Sequence, residues 1–273
     1  MRTAAHPHPV LTLLARASLL LACLGPHPAV AGLVHRWSFN DAPGTAGDGT
    51  TMPDSVSGTV ATVRGEYVTA AAFDGSALRL PGTSNGNHSL GFMSPYVDLP
   101  NGIISSKTHL SVEIWATPYS TTGYDRLFDF GRSDQGYGPG AAPGELVDVN
   151  GQGQTPGNRN ADDSIHYALS VGANEDAQRM HAMINDTSDP GLYHDAAQPT
   201  SFGTRYHYVF TFEDGVGAFG ASGGRVSWYR DGSLIHSSDV SFRLSEVEDV
   251  NNWLGRSQWT QDWNADVAYD EVR

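Results

Sequence analysis

Two kinds of side chain in this sequence could carry a function: carboxylates, which act as acids, bases and nucleophiles, and tryptophans, on which ligands stack. A retaining glycoside hydrolase needs two carboxylates about 5–5.5 Å apart, and alternate residues of one strand can supply them. The nearest run, Glu246-Val-Glu248-Asp249, lies in a connecting stretch and is typical of a solvated acidic turn. Glu113, close to Trp115 in an alternating segment, is the better catalytic candidate, but no partner carboxylate is near it in the sequence. Catalysis is therefore the alternative hypothesis, with Glu113 as its residue.

The tryptophans are concentrated near the end of the chain, at Trp253, Trp259 and Trp263. Trp253 opens the strand-like phrase WLGRS, which favours a core position between two sheets. Trp259 and Trp263 flank the turn-like TQD, so they either pack over one end of the fold or form exposed rings on which a sugar stacks. With Trp115, they are the candidate ligand-binding residues.

Other catalytic motifs are absent or occur in the wrong context. Gly220-Ala-Ser222-Gly-Gly224 matches the pattern of a nucleophile elbow, but a strand follows it where that motif requires a helix, so a hairpin loop is predicted. The sequence has no His-Glu-x-x-His and no Cys-x-x-Cys. His166, His181 and His207 lie on different predicted strands and could converge, which leaves a zinc site as a minority hypothesis.

Short alternating segments must position these side chains. Leu110, Val112, Ile114 and Ala116 share one face of a strand, and similar segments separated by Gly, Pro, Asn and Asp recur along the chain. The pattern predicts about ten to twelve strands, an all-β fold and a two-sheet antiparallel β-sandwich. One long connection, residues 131–163, is rich in Gly, Pro and Asn, and we interpret it as a surface insertion rather than a binding loop.

The chain begins with the layout of a secretory signal peptide. Arg2 precedes a mostly apolar run and an Ala-Val-Ala site at residues 29–31. The run is short of the ~20 residues that span a bilayer, so we expect no membrane insertion of the mature chain. We predict that residues 1–31 are removed and that residues 32–273 form one secreted or cell-surface domain.

Charge narrows the class of partner. The predicted cleavage removes the only cysteine and two of the 16 basic residues but none of the 30 acidic ones, so the net charge changes from −14 to −16. A surface this acidic repels nucleic acid and anionic membranes. It favours a neutral partner such as an extracellular glycan, and it offers carboxylates to divalent cations.

Eight short phrases occur in a fixed order along the chain. They are LVHRWSF (33–39), DSVSG (54–58), FDGSALRL (73–80), YVDLPNG (96–102), VEIW (112–115), LFDFG (127–131), WLGRS (253–257) and YDEVR (269–273). In this order they resemble the laminin-G-like (LamG), concanavalin A-like jelly-roll domains of secreted bacterial proteins. The resemblance implies a jelly roll, and a function among lectins, adhesion modules, carbohydrate-binding modules and glycoside hydrolases. Members usually continue beyond the last phrase, so we expect the final strand to be cut short here.

The resemblance also implies a structural calcium ion, because several relatives hold one where the first and last strands lie side by side. Calcium needs six to eight oxygen ligands, from carboxylates and from backbone carbonyls of turns. Asp270 is the firmest candidate ligand, since aspartate is disfavoured in strands. Asp54 and Asp74 lie in turns expected nearby. The sequence therefore predicts a Ca²⁺ ion held by Asp270, Asp54 and Asp74.

Together these observations predict a non-catalytic module that binds carbohydrate or matrix glycan or mediates adhesion. A glycoside hydrolase and a purely structural module of a larger cell-surface protein are the alternatives.

Overall fold

A computed structural model describes residues 32–65, 69–82, 94–121, 123–133, 161–172, 177–185, 187–259 and 262–273, with only the backbone described for 187–193. The predicted signal peptide and most of the long connection, residues 134–160, lie outside the described residues.

The described residues form sixteen strands and no α-helix, as expected for an all-β fold. The strands are β1 (Gly44–Ala46), β2 (Thr51–Pro53), β3 (Val60–Arg64), β4 (Ala71–Phe73), β5 (Leu78–Pro81), β6 (Tyr96–Leu99), β7 (His109–Ser120), β8 (Arg126–Ser133), β9 (Ala161–Ala168), β10 (Ala177–Ile184), β11 (Thr187–Ala197), β12 (Tyr206–Asp214), β13 (Gly224–Arg230), β14 (Ser233–Val240), β15 (Asn251–Leu254) and β16 (Asp266–Val272). Within the described ranges, the other regular elements are two 3-10 helices, Gly220–Ser222 and Leu244–Glu246. No helix in this part of the chain is long and apolar enough to cross a membrane.

The strands form two antiparallel sheets of eight, which confirms the predicted sandwich. The first sheet has the order β1-β4-β5-β16-β7-β12-β13-β14, and the second has the order β11-β10-β9-β8-β15-β6-β3-β2. The higher strand count comes partly from three-residue strands such as β1, β2 and β4, which are too short to show alternation in the sequence.

The core lies between the two sheets and was predicted from alternation. Trp37, Phe39, Ile114 and Phe210 are 2%, 2%, 1% and 1% exposed. The opening segment also lies beside the closing strand, because Trp37 and Val272 exchange two backbone hydrogen bonds of 2.9 Å. The opening segment is not a regular strand, but this isolated bridge places it next to the closing strand.

Trp253 corrects one expectation. It is buried, but not between the sheets. Its neighbour Leu254 belongs to the core, whereas Trp253 packs with Tyr96 in a separate cluster, with ring centroids 5.4 Å apart. Alternation therefore places Trp253 and Tyr96 on the outer face of the second sheet, the face turned away from the core.

Candidate functional site

One row of side chains crosses the outer face of the second sheet. Strand register pairs Asp98 with Trp253, Trp253 with Asp129, Asp129 with His166, and His166 with His181. Core residues flank the row, for example Phe128 and Phe130 around Asp129, so the row itself points outward. Directly opposed residues have Cβ atoms about 4.5–5.5 Å apart, so the sheet brings polar and aromatic groups from β6, β15, β8, β9 and β10 together.

Asp129 is the centre of a buried hydrogen-bond network. Its side chain is fully buried, and it accepts hydrogen bonds from the Ser164 hydroxyl at 2.6 Å and from the backbone N–H of Gln258 at 2.9 Å. Ser164 Oγ is in turn 2.9 Å from His166 Nδ1. A Cβ at Gly131 would collide with the backbone carbonyl of Asp163, so glycine permits the close approach of β8 and β9 beside this network.

Burial disfavours the charged forms of Asp129, His166 and His181. It raises the pKa of Asp129 to about 7, although the charge of Arg126 and the hydrogen bonds from Ser164 and Gln258 act in the opposite direction. Burial, and next the positive charge of Arg126, lower the pKa of His166 well below its ordinary value and that of His181 to about 3. A carboxyl group that titrates near neutral pH beside a neutral imidazole is a common feature of functional sites.

Arg126 joins the row to a second carboxylate. Its guanidinium is almost fully buried, and it donates to Asp262 Oδ2 at 2.7 Å and to the Tyr124 carbonyl at 2.6 Å. Its Nε lies 3.6 Å from Asp129 Oδ2. The cation is therefore balanced by two carboxylates, and neither of them is a free nucleophile.

Residues that follow β15 lie over the row. The Arg256 guanidinium stacks 4.4 Å from the Trp253 ring and 4.5 Å from the Tyr96 ring. The Trp259 indole packs edge-on against His166 and stacks on His181, with centroids 5.6 and 5.8 Å apart. Trp259 is half-buried, so it is an aromatic ring that both contacts the row and reaches solvent.

The candidate ligand-binding tryptophans do not meet on one surface. Trp259 lies on this face. Trp263 is half-buried. Of its neighbours in sequence, Asp262 accepts from Arg126 and Asn264 donates to the Ser94 carbonyl. Trp115 lies on the outer face of the first sheet, on the opposite side of the sandwich, because its neighbours Ile114 and Ala116 are in the core.

Glu113 also lies on the first sheet. Its Oε2 is 3.7 Å from Arg273 Nη1 and 3.9 Å from His207 Nε2. The His207 ring stacks on Trp115 at 4.2 Å, and the Arg273 guanidinium lies 4.8 Å from the same indole. His207 therefore does not join His166 and His181, whose rings do meet, at 5.1 Å.

The residues predicted to hold calcium each have their own partners. Asp54 is buried and accepts hydrogen bonds from the backbone N–H groups of Arg36 and Val56, both at 2.8 Å. Burial alone would raise the pKa of Asp54, but these bonds and one from Ser57 hold it well below the usual range.

Asp74 accepts two backbone N–H bonds within its own turn, and Asp270 pairs with Arg205 at 2.9 Å. Among the described residues, no three His, Cys, Asp or Glu side chains are grouped so that they could hold a metal ion. Each of the three side chains has its own partner here, and the calcium site stays a prediction.

Sequence reasoning missed Asp129 as a functional candidate and named His166 only as one of three histidines of a minority zinc hypothesis. The signal was present: an aspartate alternates with apolar residues in LFDFG, and a histidine does so in SIHYA. A polar residue inside an otherwise apolar strand indicates that the outer face of the sheet is covered there and holds a buried polar group. Only the register between β8 and β9 shows that these two residues face each other.

Comparisons with known proteins agree with this architecture. The Laminin_G_3 family model, described as the concanavalin A-like lectin/glucanases superfamily, matches residues 91–273. No curated protein matches the chain.

Solved structures are similar at low sequence identity. A sialidase of Trypanosoma rangeli aligns with a TM-score of 0.50 and 17% identity over 88% of this chain and 30% of the sialidase. Domain 4 of AbnA, a GH43 extracellular arabinanase from Geobacillus stearothermophilus in complex with arabinotriose, aligns with a TM-score of 0.46 and 16% identity over 88% and 90% of the two chains.

This chain spans less than a third of the length of that sialidase, and identities this low show the fold alone. The family match covers more than half of the chain and includes the strands β6 to β16 that carry the row. The chain therefore belongs to the Laminin_G_3 family of the concanavalin A-like lectin/glucanase superfamily.

Proposed function

We propose that the domain is a secreted, non-catalytic carbohydrate-binding module and that the glycan binds on the outer face of the second sheet, beside Trp259. The observation that carries the proposal is the row from Asp98 to His181. It is a concentration of polar and aromatic side chains on a face that does not contribute to the core.

The composition of this face suits a sugar. Sugar sites combine an aromatic ring, which packs against C–H groups, with a few polar atoms that fix the hydroxyl groups. Trp259 supplies a half-buried ring in contact with His166 and His181. Burying polar groups is unfavourable unless they are paired, and the bonds among Asp129, Ser164 and Gln258 hold the polar groups in fixed positions.

The opposite face is a weaker candidate. Its aromatic residue Trp115 stacks on the His207 ring at 4.2 Å and lies 4.8 Å from the Arg273 guanidinium, closer contacts than the 5.4–5.8 Å that separate the Trp259 indole from Arg126, His166 and His181. The bound form would have to displace at least His207 or Arg273. We therefore assign the glycan to the second sheet.

A glycoside hydrolase remains the second candidate, and one observation supports it. Asp129 has a pKa raised to about 7, which is the property that a general acid needs at neutral pH. If the domain is catalytic, Asp129 is a stronger candidate than Glu113, whose carboxylate faces Arg273 on the other sheet.

Pull-down on a panel of insoluble polysaccharides, with reducing ends assayed in the same tubes, tests both functions. We expect binding without release of reducing ends. Trp259→Ala should weaken binding about 30-fold, the effect of removing a central aromatic contact. Tyr119→Ala, an exposed aromatic change on the first sheet, is the matched control and should leave binding unchanged.

Two results would contradict the proposal. Loss of binding in Trp115→Ala but not in Trp259→Ala would move the site to the first sheet. Release of reducing ends that Asp129→Asn abolishes would establish the hydrolase instead.

A further inference from the structure

One hydroxyl group connects Asp129 to His166. The Ser164 hydroxyl donates to Asp129 Oδ1 at 2.6 Å, and Ser164 Oγ lies 2.9 Å from His166 Nδ1. Ser164 has a single hydroxyl hydrogen and uses it on Asp129, so His166 Nδ1 must be the donor to Ser164 Oγ. The neutral imidazole then carries its hydrogen on Nδ1 and a lone pair on Nε2.

The Nε2 atom of His166 has no partner among the described residues. The atom is buried, and no described side chain or backbone group donates a hydrogen bond to it. A buried acceptor in this state destabilises the fold unless a donor is supplied. The missing donor therefore has to come from outside the described part of the chain.

We propose that Asp129, Ser164 and His166 form a hydrogen-bond relay that presents His166 Nε2 as the acceptor for a hydroxyl group of a neutral sugar residue. The inference rests on the proposed function, since it names the binding atom and the sugar class for the same face. His166 is the binding residue. Ser164 and Asp129 are positioning residues that act through it.

The charges around His166 favour a neutral sugar over an acidic one. Arg126 on β8 is paired with Asp129 and Asp262, and Arg179 on β10 is paired with Asp195 at 2.7 and 3.0 Å. Each of these arginines already has a carboxylate partner. A sugar carboxylate would therefore face the lone pair of Nε2, another acceptor, and neither arginine would be free to neutralise its charge. A sugar hydroxyl, in contrast, can donate a hydrogen bond to Nε2.

Trp259 marks the approach to this atom. His166 and His181 are buried, whereas the Trp259 indole that packs against both rings is half-buried. A sugar that reaches Nε2 must contact or move this indole. Binding is therefore expected to shift the indole N–H resonance of Trp259 in NMR spectra.

The relay also makes the acceptor sensitive to pH. When Asp129 is protonated on Oδ1, its O–H can donate to Ser164 Oγ, Ser164 can donate to His166 Nδ1, and the imidazole hydrogen then resides on Nε2. One proton is taken up in total and no buried imidazolium is formed. Burial raises the pKa of Asp129 to about 7, so the acceptor is present above pH 7 and is lost as pH falls below it.

Other titratable groups near His166 do not change in the same range. Arg126 and Arg179 stay protonated. Burial lowers the pKa of His181 to about 3. Asp262 Oδ2 accepts a hydrogen bond from Arg126 at 2.7 Å and is not bonded to Ser164 or His166 in the described contacts. Burial also raises the pKa of Asp163, but its carboxyl group accepts hydrogen bonds from the backbone N–H groups of Glu248 and Asn185, outside the relay. The reversal is therefore assigned to Asp129, which bonds to Ser164 directly.

Nitrogen-15 NMR of the histidine rings tests the relay without any ligand. We expect His166 to carry a lone pair on Nε2 at pH 8 and a hydrogen on Nε2 at pH 5.5. Ser164→Ala should remove this preference. Ser227→Ala is the matched control, because Ser227 is a buried strand serine bonded to Ser237 at 2.8 Å on the first sheet. A hydrogen on His166 Nε2 at pH 8 would overturn the relay.

Calorimetry with defined sugars tests the ligand assignment. The neutral probes are hexaoses of glucose, xylose, mannose and arabinose, and the acidic probes are oligogalacturonate and sialyllactose. We expect a neutral probe to bind. Ser164→Ala should lower its affinity about three- to tenfold, which is the effect of losing one neutral hydrogen bond. Ser227→Ala should leave the affinity unchanged. Asp129→Asn, whose amide can donate to Ser164 as protonated Asp129 does, should bind weakly at every pH.

The outcomes separate this inference from the proposed function. If Trp259→Ala weakens the binding of a neutral probe but Ser164→Ala and pH do not change its affinity, the relay would be overturned and the proposed binding module would still hold. Binding of the acidic probes alone would overturn the neutral-sugar assignment. A protein that binds no probe and no polysaccharide would overturn both the proposed function and the ligand assignment, while the NMR result still decides the direction of the relay.

Discussion

Replacing Asp129 by asparagine should stabilise the domain at high pH and have little effect at low pH. Burial raises the pKa of Asp129 from an unfolded value of about 3.9 to about 7, so the folded state binds one proton more than the unfolded state between these values. The associated stability is fully present below pH 3.9 and is lost as pH rises through 7. At about 1.36 kcal/mol per pH unit, the loss amounts to about 4 kcal/mol.

The asparagine variant lacks this loss and keeps the geometry. Its amide oxygen can accept from the Gln258 N–H, and its amide nitrogen can donate to Ser164. Because Asp129 is half ionised at pH 7, the stability difference between variant and wild type should grow by about 2 kcal/mol between pH 5 and pH 7, which corresponds to about 4–8 °C in melting temperature. Urea unfolding of both proteins at each pH measures it. Comparison at the same pH largely cancels contributions from His166 and His181, which both proteins contain.

Asp74→Asn is the control. Hydrogen bonds from Ser76 and Ala77 lower the pKa of Asp74, so its folded and unfolded values both lie below pH 5. Its stability difference should stay constant between pH 5 and pH 8. If the Asp129→Asn difference were equally constant, Asp129 would already be ionised at pH 5, and the account of a buried, protonated carboxyl would be refuted.

Further predictions concern the rest of the chain. Asp54→Ala should destabilise the fold by about 2–4 kcal/mol in urea unfolding, because two backbone N–H groups lose a buried acceptor. Because the pKa of Asp54 is lowered in the folded state, the stabilisation from its carboxylate should be present above pH 4 and should fall as the solution becomes more acidic. Phe210→Ala should cost about 3–5 kcal/mol by leaving a cavity between the sheets, and a smaller loss would contradict its core position. Melting with calcium and with a chelator tests the predicted calcium site: the melting temperature should rise with calcium and Asp270→Ala should remove the rise, whereas melting that responds to neither calcium nor chelator would refute the site. Mass spectrometry of protein exported by a bacterial host should give Gly32 as the first residue, and an uncleaved chain would refute the predicted signal peptide.

Alternation was sufficient to predict the sandwich and much of its core. Ile114 and Phe210 lie in segments where apolar and polar residues alternate over many positions, and this pattern is compatible with few structures other than a half-buried strand. The order of eight phrases then identified the family.

Alternation could not show which buried residues face outward. The side-chain period tells which residues of a strand share a face, but the packing of the second sheet and of the segment after β15 decides that Trp253 lies with Tyr96 outside the core. For the same reason Trp115 and Trp259, which the sequence grouped as ligand-binding residues, lie on opposite faces.

The candidate site depends on pairing between distant segments. Asp129 meets His166 across the β8–β9 register, and it meets Trp253 because β15 inserts between β6 and β8. No local pattern encodes these neighbours. The hydrogen-bond and ion-pair partners of Asp54, Asp74 and Asp270 are likewise set by contacts that the sequence does not reveal.

The most direct test of the central claim is to follow the tryptophan indole N–H resonances during titration with the glycan that the panel selects. The six tryptophans report on different parts of the fold, with Trp259 on the second sheet and Trp115 on the first. Glycan binding at the proposed surface should shift the Trp259 resonance and leave that of Trp115 in place. A titration that shifts Trp115 while Trp259 stays unchanged would contradict the account.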